Sequence, residues 1–94
     1  MPEAKSEASH ILGARLRSRR LELSLNQEDV AHQAGMNLSS YSRVERGHGN
    51  PTFYTLVRLA LVLAMEPGQL LAGLSSDDLP PSHDSADVPG QLSL

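Results

Sequence analysis

The chain has 94 residues, 39% of them apolar and 20% charged, and a formal net charge of −3. At ~100–200 residues per domain there is room for one core and no second. The absence of cysteine excludes a disulfide framework and any cysteine-based zinc finger. Aromatic residues are limited to Tyr41, Phe53 and Tyr54, so the core must be built from Leu, Val, Ala and Met, which suits helices. No apolar run of ~20 residues is present, and the first ten residues lack the apolar centre of a signal peptide. A cytoplasmic location and no cofactor are expected.

The net charge hides a segregation. Residues 1–10 carry −1, residues 11–74 carry +2 with arginine as the only base, and residues 75–94 carry −4. A weakly basic, Arg-only body is compatible with a phosphate surface. Residues 1–9 are expected to be a disordered arm and 75–94 an acidic Ser/Asp/Pro-rich disordered tail, leaving 10–74 as the folded domain.

Taken in chain order, the pattern is helical throughout. A first helix is predicted over about 10–23, with Leu12, Leu16 and Leu23 on one face. The second runs from Gln27 to Ala34, with Asn26 as N-cap, Asp29 completing a capping-box-like pair and Gly35 ending it. The third covers Leu38–Arg46, capped by Asn37 and stopped by Gly47. After the breaker cluster Gly47-His48-Gly49-Asn50-Pro51, Thr52 caps a fourth helix over Phe53–Met65. Pro67 suits the first turn of a short fifth helix over 67–73.

The unit from Gln27 to Arg46 is a helix-turn-helix, a motif able to place its second helix in a major groove. Its demands are a small residue at Ala31, a left-handed turn at Gly35, and burial of Val30, Ala34, Met36, Tyr41 and Val44; all are met in type. On the third helix Ser39, Ser42, Arg43 and Arg46 share the opposite face. Arg43 is the best candidate for direct readout, because a guanidinium fork bonds guanine O6 and N7 together. Leu38 fits against a thymine methyl, while Arg46 and Arg17 are placed to neutralise phosphates.

The pieces LNQEDVA, the Gly35 turn, SRVERG and NPTFYTL together resemble the xenobiotic-response-element/Cro-repressor family. The upstream stretch RLRSRRLELSLNQEDVA is similar to the first two helices of lambdoid phage repressors, and the likeness covers about residues 11–72. The resemblance implies a compact, all-α, five-helix lambda-repressor-like domain that binds double-stranded DNA sequence-specifically, usually as a homodimer on a palindromic operator. It implies a phosphate-contacting and bracing role for Gln27, base-edge positions for Leu38, Ser39 and Arg43, and backbone positions for Asn37, Ser40, Arg46 and Asn50. Arg20 and Glu45 match a semi-buried ion pair of that family. Restriction–modification controllers, phage repressors and antitoxins share the architecture. The chain departs from the pattern at Tyr41, where Ile or Val is usual, so its hydroxyl needs a partner; at Leu38, often a polar base reader; and at the weakly basic loop GHGN.

Plainer roles compete for some of these residues. Arg15 and Arg19 read as a solvated face, and Arg20–Glu45 as mainly structural. The histidines at 10, 32, 48 and 83 show no metal-ligand spacing, and Asn37-Leu38-Ser39 matches a glycosylation sequon by chance. The acidic tail is either a solubiliser or a mimic of phosphate for the arginine face. The fourth and fifth helices are apolar on more than one side. A homodimer contact through Leu61, Met65, Leu70, Leu71 and Leu74 is expected, the alternative being a fatter core. A second function class is a protein-interaction module of the same fold with little or no DNA binding, acting through a protein partner. An enzyme is not expected, since no nucleophile, base and orienter group together.

Overall fold

The structure, a computed structural model, describes residues 6–80. Five helices follow in order: α1 (Glu7–Glu22), α2 (Gln27–Gln33), α3 (Leu38–Glu45), α4 (Phe53–Val62) and α5 (Pro67–Leu71). A single 3-10 turn at Ser76–Asp78 follows them, and no strand occurs among the described residues.

Helix starts obey side-chain chemistry. The Asn26 side chain accepts from the Asp29 amide at 2.7 Å while Asp29 accepts from the Asn26 amide at 3.1 Å, closing a full capping box. Asn37 and Thr52 cap α3 and α4 in the same sense, and Pro67 occupies the first turn of α5. Helix α1 begins earlier than its apolar spacing suggests. Ser6 accepts from the Ser9 amide at 3.0 Å and Glu7 favours the positive end of the helix dipole, so part of the expected arm is helical. Likewise Ser75 caps the 3-10 turn, which structures the first residues of the expected tail. The remainder of both segments lies outside the described residues.

Helices α1 to α4 all end in one way. The residue after the C-cap turns left-handed, and the next amide reaches back to a carbonyl of the last turn: Leu25 to Arg20, Met36 to Ala31, His48 to Arg43 and Met65 to Ala60, at 2.8–3.0 Å. Gly35 (φ 73°) and Gly47 (φ 82°) make this turn freely, as expected. Ser24 (φ 57°) and Ala64 (φ 54°) make it against the usual side-chain preference. The Ala64 turn ends α4 at Val62 rather than at Met65.

The core joins Leu12 and Leu16 of α1, Val30 and Ala31 of α2, Tyr41 and Val44 of α3, Leu59 and Ala60 of α4, Leu63, and Leu70 of α5. Met36 is only partly buried against it. Helix α3 is held from two sides, since α1 and α2 both pack on it. At the α1–α3 crossing Gly13 is buried, and a Cβ there would press on the Glu45 and Val44 carbonyl oxygens. The two backbones therefore touch, and one α1 face carrying Gly13, Leu16 and Arg20 seats α3.

Candidate nucleic-acid interface

Helix α3 divides cleanly. Tyr41, Val44 and Glu45 face inward and are buried; Leu38, Ser39, Ser40, Arg43 and Arg46 are exposed and Ser42 is half-buried. Gln27, the first residue of α2, joins Leu38, Ser39, Ser42, Arg43 and Arg46 around one shallow open depression. On the other flank Ser40, Arg43, His48, Asn50 and Thr52 border a second depression, beside the start of α4. Arg43 alone among the expected contact residues reaches both. Asn37 sits at the helix start, where its Oδ1 accepts from the Ser40 amide at 2.8 Å and the Ser39 hydroxyl at 3.0 Å. Arg17 is exposed on α1 and borders neither depression.

Beneath this surface lies a closed polar cluster. The Arg20 guanidinium grips Glu45 with both oxygens, Nε to Oε2 at 2.6 Å and Nη2 to Oε1 at 3.0 Å, and Nη1 donates to the Leu25 carbonyl at 3.0 Å. The Tyr41 hydroxyl donates to Oε2 at 2.6 Å and the Gln27 side-chain amide to Oε1 at 3.0 Å. The hydroxyl that sequence alone left without a partner thus finds a carboxylate one turn along its own helix. Burial pushes the Glu45 carboxyl up, but the hydrogen bonds from Arg20, Tyr41 and Gln27 outweigh it and hold the group below its ordinary value. For Arg20 the Glu45 hydrogen bond outweighs burial and raises its affinity for the proton. Burial, and then Glu45, raise the Tyr41 phenol. The cluster ties α1, α2 and α3 to one carboxylate.

The arginines sort into two groups, and the expected solvated face is corrected. Arg15 donates to the Leu70 carbonyl at 3.1 Å, and Arg19 to the Leu63 carbonyl at 2.8 Å. Both satisfy carbonyls at helix C-terminal ends that would otherwise lack partners, and their charge suits the negative pole there. They stitch α1 to α4 and α5. Arg17, Arg43, Arg46 and Arg58 are exposed; Arg46 makes only a 3.2 Å bond to Ser42 and the other three have no side-chain partner among the described residues. No cluster of three or more potential metal ligands occurs among the described residues.

The expected subunit contact is redrawn. Leu70 is 0% exposed and belongs to the core, because α5 lays it beneath α1 and α4. Met65 and Leu74 are half-buried, while Leu61 and Leu71 stay exposed. Phe53 and Tyr54, which the sequence reading did not place at any surface, are 72% and 71% exposed with ring centroids 5.7 Å apart. The signal was available: Phe53, Val57 and Leu61 recur every fourth residue, away from the buried Leu59 and Ala60.

A family model described as helix-turn-helix matches residues 16–70, more than half of the chain. The chain belongs to the helix-turn-helix family. The family is one of DNA-binding transcription regulators rather than enzymes. This helix-turn-helix protein is 31% identical over 64 residues to the cryptic phage CTXphi transcriptional repressor RstR of Vibrio cholerae serotype O1, a match covering 68% of this chain. It spans 57% of that repressor's length. It is also 31% identical over 88 residues to a transcriptional regulator in the ATPase CF(0) region of Rhodospirillum rubrum, covering 89% of this chain and 80% of the relative. Among crystal structures, the restriction-modification controller protein C.AhdI from Aeromonas hydrophila superposes with a TM-score of 0.64 at 35% identity, covering 66% of this chain and 94% of the controller. The hypothetical transcription factor NHTF from Neisseria gives a TM-score of 0.67 at 24% identity over 94% of this chain and 86% of its own, a likeness of fold.

Proposed function

We propose that the protein regulates transcription by binding duplex DNA sequence-specifically as a homodimer on a palindromic operator. The observation that carries this reading is the outward face of α3. Its side chains are exposed and uncovered by the rest of the protein, and the Arg43 guanidinium stands there without a side-chain partner. In this reading Arg43 reads base edges, with Leu38, Ser39 and Ser42 beside it. Gln27, Asn37, Ser40, Arg46, Asn50 and Arg17 hold the phosphate backbone.

The homodimer forms through the exposed apolar side chains of α4 and its neighbour: Phe53, Tyr54, Leu61 and Leu71. Two copies related by a two-fold axis set their α3 helices about 34 Å apart, one helical turn of DNA. The relatives named as a repressor and as a restriction-modification controller support regulation of this kind. Selection of bound sequences from a random duplex pool tests the whole reading. An enriched palindrome with half-sites about one turn apart is expected; recovery of no sequence above background would refute it.

A further inference from the structure

We propose that Tyr41 is a positioning residue for the DNA-facing amide of Gln27 and that it acts through Glu45. The inference rests on the reading of α3 and Gln27 as a DNA surface. Packing alone does not call for the hydroxyl. Tyr41 is fully buried in an apolar core, where a phenyl ring would fill the same space. The hydroxyl is spent on one atom, Oε2 of Glu45, at 2.6 Å.

The reason lies in the acceptor sites of that carboxylate. Arg20 takes one site on each oxygen through its two-pronged contact. Each oxygen then keeps one good acceptor site. Tyr41 occupies the one on Oε2, so the amide of Gln27 has a single place to dock, Oε1 at 3.0 Å. With its nitrogen held there, the amide cannot flip. Its oxygen and its second N–H stay at the depression shared with Leu38, Ser39, Ser42, Arg43 and Arg46. Without the hydroxyl, Oε2 becomes a second acceptor, the Gln27 amide divides between the two oxygens, and its outward orientation is lost.

The Tyr41→Phe variant of the full chain tests this with two readouts. The first is the side-chain amide resonance pair of Gln27, identified by its loss in Gln27→Ala. Wild type should show one proton shifted downfield by the carboxylate, and Tyr41→Phe should draw the pair back toward ordinary glutamine values. The second is affinity for the pool-selected operator. Tyr41→Phe should weaken it about 3- to 10-fold, the scale of a disturbed hydrogen bond, and should cause no further loss in the Gln27→Ala background. Equal losses in both backgrounds, or none in either, would overturn the proposal. If no duplex is selected by wild type, the DNA reading fails, while the amide resonances still decide whether Tyr41 fixes Gln27. If Tyr41→Phe does not fold, an unshifted Gln27 pair in wild type overturns the proposal by itself.

Discussion

Glu45 is the acid on which three helices converge, and its environment gives it a pH signature. Its side chain is 2% exposed and accepts from Arg20, Tyr41 and Gln27. Because its folded-state affinity for the proton is below the ordinary value of 4.5, its stabilisation is present above that value. It is lost as pH falls through the lower folded-state range. Glu45→Gln strands a buried guanidinium and should cost about 3–5 kcal/mol at neutral pH. Urea unfolding of both proteins across pH 7 to 3 checks this, and the gap between them should narrow in acid. Arg43 makes the opposite case, a charged side chain that the fold does not use. Arg43→Ala should leave the melting temperature nearly unchanged and lower operator affinity about 5- to 100-fold, the worth of one bidentate base contact. Fluorescence anisotropy with operator and scrambled duplexes checks it, and the scrambled duplex should lose much less.

At the scale of the helices, the common C-terminal turn shows what local sequence reveals and what it conceals. The ends marked by Gly35 and Gly47 were legible, because glycine announces a left-handed residue. The ends at Ser24 and Ala64 were not, because packing imposes a turn that neither residue type signals. That difference is why α4 was expected to run on to Met65. Ala64→Gly relieves the same conflict and should raise stability by about 0.5–1 kcal/mol, a rise of several degrees in melting temperature for a domain this small. Gly13 was illegible for a related reason: a close approach of two backbones is a tertiary fact, and a lone glycine inside a helical pattern carries no partner's address. Gly13→Ala improves helix propensity by about 1 kcal/mol, yet a Cβ meets backbone oxygen with Val44 O only 2.7 Å away. Net destabilisation in thermal melts is expected, and an increase in melting temperature would show that α1 and α3 do not touch there. The face of α3 was read correctly because three-to-four spacing separates Tyr41 and Val44 from Ser39, Ser42 and Arg43 without help from the rest of the fold.

For the molecule as a whole, the exposed apolar residues of α4 govern association. Leu61 is 70% exposed, so replacing it should not disturb the core. Leu61→Glu should keep the melting temperature, shift sedimentation to the monomer at micromolar concentration, and weaken operator binding at least about 10-fold through loss of the two-copy contact. The division of labour among the arginines reaches further, into the ionic response. Each phosphate neutralised by a side chain frees condensed counterions, at about 0.9 per contact. With all seven arginines of residues 11–74 available in each of two copies, log K against log salt would fall with a slope near −12. Arg15, Arg19 and Arg20 are occupied by carbonyls and a carboxylate inside the protein. The four that remain per copy cap the slope at about −7, so this chain should hold its operator at salt concentrations that would strip a regulator spending every arginine on phosphate.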